Sequence, residues 1–147
     1  MIHKNNIQKI ILIMVLLASM AACRPTDSNQ TPNAPAKQSS DGVYQKLTVD
    51  AFADILATHP NDYTIVNVHI PYAGEVKGTD ENIPYNDINA LTAALPDKNA
   101  PIILYCRSGR MSKEASEALL KLGYTHVWDI EGGMNAWKAS GRKLIND

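Results

Sequence analysis

The run Ile103-Leu104-Tyr105-Cys106-Arg107-Ser108-Gly109-Arg110-Met111-Ser112 sets one cysteine between an apolar stretch and a polar turn that contains a glycine. A thiolate is a strong nucleophile, so the groups around the sulfur decide whether it can do chemistry. Arg107 and Arg110 bring positive charge to the loop. Gly109 permits a turn in which successive amides curl inward as an anion-binding nest. A helix opening near Ser112 aims its positive end and its unpaired N–H groups at the same place. All three features favour thiolate over thiol. The competing account is a small apolar filler at the end of a strand, which leaves the cationic loop beside it unexplained. Solvent, or pairing with a nearby carboxylate, is the alternative for either arginine, for Arg107 more than for Arg110.

The elements that must hold this loop follow from periodicity. Ala100 to Tyr105 is a short continuous apolar run, as expected of a strand covered on both faces of a parallel sheet. From Ser112, the residues Ala115, Ala118, Leu119 and Leu122 form one helical stripe, Glu117 and Lys121 pair four apart on the other side, and Gly123 closes the helix. Upstream, Thr48 caps a helix over Val49 to Ala57, His59-Pro60-Asn61-Asp62 breaks the chain, and Tyr63 to His69 reads as a strand. The segment from Ile70 to Tyr85 is mostly loop, with a short extended piece at Ile83 to Tyr85. Asn86 or Asp87 caps a helix reaching about Leu95, Thr125 to Ile130 is a strand, Gly132-Gly133 a turn, and Met134 to Ala139 a last short helix stopped by Gly141. Strands alternate with helices, so the expected fold class is α/β: a small parallel sheet with helices on both faces. Ligands of such sheets bind beyond the carboxyl ends of the strands, where Cys106 stands.

The N-terminal third is of another kind. Residues 1–22 have a basic start at Lys4 and Lys9, an apolar centre from Ile10 to Leu17 and a small-residue exit, the pattern of a secretory signal peptide. Counted generously to Ala22 the apolar stretch is thirteen residues, short of the roughly 20 that span a bilayer. Met20-Ala21-Ala22-Cys23 resembles the lipobox of bacterial lipoproteins, in which the cysteine becomes the lipidated N-terminus; ordinary cleavage near Ala21 or Ala22 is the alternative. Acyl chains on Cys23 would anchor an exported protein to the membrane of the cell envelope without spanning it. Arg24 to Asp41 hold three prolines and no aromatic or branched aliphatic residue, the composition of a flexible tether. Residues 23–42 are therefore the lipidated end and tether, and residues 43–147 one domain. Loss of the signal takes the formal charge of the chain from −1 to −3, since residues 1–22 carry Lys4, Lys9 and no acid. That balance gives no support to nucleic-acid binding. With Cys23 lipidated, Cys106 is the remaining thiol and no disulfide can form. His59, His69 and His126 lack metal-ligand spacing, so no metal site is expected.

Two motifs carry a resemblance. Cys106-Arg107-Ser108-Gly109-Arg110-Met111 leading into Ser112 is similar to the active-site loop of the rhodaneses, a sulfurtransferase family. Gly123-Tyr124 with Val127, followed by Glu131-Gly132-Gly133-Met134-Asn135-Ala136-Trp137 and Gly141, resembles that family's closing signature. With a start near Leu47, the likeness to a single-domain rhodanese covers the whole domain. It implies that Cys106 takes a sulfur from an anionic donor such as thiosulfate as a persulfide and passes it to cyanide or a thiol, without a cofactor. It implies too that the loop Arg107, Ser108, Gly109, Arg110, Met111 and Ser112 cradles the persulfide and the donor. A non-catalytic binding or sulfur-carrier module of the same family is the alternative. A phosphatase or arsenate reductase fits less well, because the position six after Cys106 is Ser112, where the Cys-x5-Arg loop of those enzymes needs arginine. The chain departs from the family in its first half. Asn67-Val68-His69 stands for Asp-Val-Arg, and Gly74-Glu75-Val76-Lys77-Gly78-Thr79 for Gly-His-Ile-Pro-Gly-Ala. His69 and Glu75 are either rim substitutes or structural polar contacts.

Overall fold

A computed structural model describes residues 44–146. The expected signal peptide, Cys23 and the expected tether lie outside the described residues. The chain order is β1 (Gln45–Leu47), α1 (Val49–Thr58), β2 (Thr64–Asn67), β3 (Glu81–Asn82), α2 (Ile88–Ala94), β4 (Ile102–Tyr105), α3 (Arg110–Lys121), β5 (Val127–Ile130) and α4 (Gly133–Ala139). The strands form one sheet in the order β1-β5-β4-β2-β3, and every pairing is parallel. This is the expected α/β class.

Side-chain alternation along the strands explains why both faces need helices. Ile102, Leu104 and Cys106 point to one face with Val66, Val68 and Val127, where Leu91 of α2 and Ala115 and Leu119 of α3 cover them. Ile103 and Tyr105 point to the other with Ile65, Trp128 and Ile130, where Phe52 of α1 and Met134 and Trp137 of α4 cover them. Caps start two helices where the sequence places them: the Thr48 side chain accepts from Ala51 N–H at 3.2 Å and that of Asp87 from Ala90 N–H at 3.0 Å.

Several boundaries differ from expectation. The strand β1 carries no periodic signal because it is three residues of edge strand, fixed by pairing with Trp128 to Ile130. The extended piece pairs at Glu81–Asn82, two residues before the expected Ile83. Ile83 and Tyr85 instead pack on the core, while their N–H groups still bond to the carbonyls of Asn67 and Val68 at 3.0 Å each. Helix α3 begins at Arg110 rather than Ser112, so Arg110, Met111 and Ser112 form its first turn. It ends at Lys121, leaving Leu122 44% exposed and outside the core stripe. Glu117 pairs with Lys113 at 3.7 Å, one turn before its expected partner Lys121.

Phe52 ties α1 to the sheet and to α4. Fully buried, its ring lies 5.6 Å from Trp137, edge to face, and 6.3 Å from Tyr105. Replacing Phe52 by Ala should cost about 3–5 kcal/mol, read as a lower urea midpoint at unchanged slope.

Candidate active site

Cys106 follows β4 directly and is buried. Its Sγ accepts the Gly109 N–H at 3.1 Å and the Ser112 hydroxyl at 3.4 Å. Gly109, at φ 92°, precedes α3 as its cap residue and offers no side chain to the helix start. The sulfur, bonded to the amide of that cap residue and to a hydroxyl of the first turn, stands at the positive end of a twelve-residue helix.

The backbone of the loop is held from the opposite face of the sheet. Met134 N–H bonds to the carbonyl of Cys106 and Asn135 N–H to that of Arg107, each at 2.9 Å. Immediately before them Gly133 adopts φ 55°, and a Cβ there would stand 2.1 Å from the Cys106 carbonyl oxygen. The Gly-Gly motif is thus a seat for the cysteine loop, a contact that spacing alone does not reveal.

A cavity of about 70 Å³ opens over the sulfur, lined by His69, Cys106, Arg107, Ser108, Arg110 and Met111. The sequence-predicted loop residues therefore converge, in two groups. Cys106, Gly109 and Ser112 meet at the sulfur, while Arg107, Ser108, Arg110 and Met111 form the wall. The arginines differ. Arg110 is drawn outward, bonded to Glu114 at 2.7 Å and lying 5.9 Å from the centre of the Tyr85 ring. Arg107 is exposed on the wall, and its charge reaches His69.

The two substituted positions of the first half separate as well. His69 is buried in the cavity wall, with Nδ1 3.4 Å from the Met111 sulfur and Nε2 without a hydrogen-bond partner among the described residues. Burial, and secondarily the charge of Arg107, lower its pKa, so the ring is neutral near pH 7. Glu75 stands away from the cavity: it bridges to Ile145 through the backbone and accepts from Asn82 and Asn146. Its polar contacts are made within the fold, not in the cavity. Asn67 is structural too, accepting from His69 N–H and donating to the Gly74 carbonyl, both at 3.1 Å.

Asp129 and Tyr44 escape a reading by motif. Asp129 lies in β5 beside Leu104, under the cysteine loop. It is 1% exposed, and its Oδ2 accepts from the Tyr44 hydroxyl at 2.5 Å. An acid inside the short apolar strand Val127–Ile130 is the signal that could have found it.

The rhodanese family model, described as a rhodanese-like domain, matches residues 42–140. The chain belongs to the rhodanese-like domain family. A stretch of 52 residues is 42% identical to the thiosulfate sulfurtransferase PspE of Escherichia coli, covering 35% of this chain and 50% of that protein. Another of 48 residues is 35% identical to a sulfurtransferase of Allochromatium vinosum, covering 33% of this chain and 45% of that protein. The chain thus spans half or less of the length of these curated relatives. A rhodanese-related protein of Thermoplasma volcanium has the same fold, with a TM-score of 0.58 and 21% identity over 71% of this chain and 100% of that one. Within the rhodanese-like domain, Gly133 and Gly141 give a matched pair for testing the loop seat. Both have positive φ, but a Cβ at Gly141 meets nothing within 4 Å. Gly141→Ala should cost about 1 kcal/mol and leave Cys106 reactivity unchanged. Gly133→Ala should cost about 3 kcal/mol and slow iodoacetamide alkylation of Cys106 severalfold, measured by urea denaturation and by mass.

Proposed function

We propose that this rhodanese-like domain, residues 43–147, is a sulfurtransferase that carries a sulfane sulfur as a Cys106 persulfide. The observation that supports this most is the sulfur itself: set at the N-terminal end of a helix, bonded to the Gly109 amide at 3.1 Å, under an open cavity whose wall carries Arg107. An inert packing cysteine has no need of these. The Cys106 thiolate attacks the outer sulfur of a donor such as thiosulfate; the new S–S bond forms as the bond to the sulfite group breaks, and sulfite leaves with the bonding pair. Cyanide or a thiolate then attacks the outer sulfur of the persulfide, and Cys106 departs as thiolate. Neither step consumes a proton or requires a cofactor. Loop amides and the α3 terminus hold the anionic sulfur, and Arg107 is the side chain best placed to hold an anionic donor. Arg110, committed to Glu114, contributes less.

The same proposal extends to the cell. Residues 1–22 direct export, Cys23 carries the lipid, and the tether up to residue 42 lets the domain stand clear of the bilayer to which it is anchored, on the extracytoplasmic side of the bacterial cell envelope. Cys23→Ser should abolish incorporation of labelled fatty acid and release the protein from the membrane fraction.

The chemistry is tested by intact mass after thiosulfate treatment. A gain of one sulfur, reversed by reductant and absent from Cys106→Ser, is expected. No gain from any sulfane donor would leave a binding module as the better account. In steady state, Arg107→Ala should lower kcat/KM for thiosulfate about tenfold, the loss of one charge-assisted hydrogen bond, and Arg110→Ala only about threefold.

A further inference from the structure

Positive charge around the cavity is limited in two places. Arg107 and Arg110 both line it, but the Arg110 guanidinium is held by the Glu114 carboxylate at 2.7 Å, one helical turn on. A third wall residue, His69, adds no charge. Its Nδ1 lies 3.4 Å from the Met111 sulfur. A thioether has no hydrogen to give, so the ring hydrogen stands on Nδ1, and the neutral ring keeps a lone pair on Nε2. That nitrogen is buried and meets no hydrogen-bond partner among the described residues. Nor does the ring form an ion pair with any described carboxylate. With 7% exposure and the charge of Arg107 acting on it, an imidazolium here would be a desolvated cation facing a second one. His69 thus offers an anion neither charge nor a hydrogen to share. Among the described residues, Arg107 is the wall cation without a carboxylate partner.

We infer that His69 and Glu114 are specificity-determining residues that fit this site to a sulfane donor with one negative charge, a thiosulfonate, in preference to the dianion thiosulfate. The inference rests on the sulfur transfer proposed above and names its donor class. In a thiosulfonate an uncharged organic group stands where thiosulfate has a further anionic oxygen. A wall made of a neutral imidazole and the thioether it touches suits that group better than it suits an anion. The bonding changes are those already given: the Cys106 thiolate bonds to the outer sulfur, the bond to the oxidised sulfur breaks, and a sulfinate leaves with the pair in place of sulfite.

The test compares kcat/KM for thiosulfate with that for methanethiosulfonate, with cyanide as acceptor in both. His69→Arg, which adds a cation to the wall, should raise the ratio of thiosulfate to methanethiosulfonate about tenfold. Glu114→Gln, which releases Arg110, should raise it about threefold, since an exposed ion pair holds its cation weakly. The second gain should vanish when Arg110→Ala is combined with Glu114→Gln. Glu114 is half-exposed, so its variant decides the matter even where His69→Arg disturbs the buried wall. A merely structural role would slow both donors alike. Intact mass separates the two levels of the argument, because either donor leaves the same added sulfur on Cys106. Sulfur gained from both donors, with a ratio unchanged in both variants, would overturn this inference alone. No gain from either donor would overturn the proposed function and this inference with it.

Discussion

The amides of Met134 and Asn135 reach the carbonyls of Cys106 and Arg107 only because the residue between helix and turn, Gly133, has no side chain to hold them apart. The rest of the site depends on this contact. It fixes the direction in which the chain leaves β4, and so the place where Gly109 can turn and α3 can start. Two helices on opposite faces of the sheet are thereby joined at one strand end: α4 grips the loop backbone from behind, and α3 presents its open amides in front. A single helix could orient the sulfur or restrain the loop; doing both requires two, which is what alternating strands and helices in a parallel sheet supply.

The loop between β2 and β3 is held by a different device. Buried polar side chains need partners, and here the partners are the backbone of that loop. Tyr105, on the face away from Cys106, meets Val76 N–H at 3.0 Å and the Thr79 hydroxyl at 2.6 Å, and burial moves its pKa up to about 12. Asn67 secures Gly74 and His69 in the same way, and Asp80 accepts the Ile65 N–H at 2.8 Å. His69 is thus carried to the cavity by a backbone whose path is set elsewhere. Its ring is free to differ from the arginine usual in the family without altering the loop.

Much of this was readable from residue order. The long periodic elements, α1, α3, β4 and β5, declared themselves because each has one face that must be buried. The cap Thr48 also declared itself, and the second cap was narrowed to Asn86 or Asp87, because the first turn of a helix lacks partners for its amides. The edge pieces did not: Gln45–Leu47 and Glu81–Asn82 are strands only because β5 and β2 offer them unpaired backbone, and no local pattern records a neighbour distant in sequence. The site divides in the same manner. Cys106, Gly109 and the arginines lie in one contiguous loop. The separate fates of Arg107 and Arg110 depend on Glu114, one helical turn from Arg110, and the grouping of Asp129, Ser112 and Tyr44 depends on three elements meeting. Tyr44 gave no sign at all; it matters because a strand edge happens to set its hydroxyl at a buried acid.

Positive charge falls away with depth around the sulfur, and the order suits the proposed cycle. At the mouth stands Arg107, exposed and able to meet an anion arriving from water. In the wall His69 is neutral, so it neither competes for the donor nor repels it. Around Sγ the stabilising groups are an amide, a hydroxyl and a helix end, all dipoles without net charge. Two unit charges 4 Å apart interact by about 4 kcal/mol in a medium of intermediate polarity, enough for one misplaced carboxylate in the floor to cancel what the mouth provides. Dipoles are adequate at the centre because a thiolate and a persulfide carry the same single negative charge. In the proposed cycle the centre of charge moves outward by one bond when the sulfur arrives, and no counter-charge has to follow it. A site built this way can hold either state without rearranging, which is what a carrier that must both take and give the same atom requires.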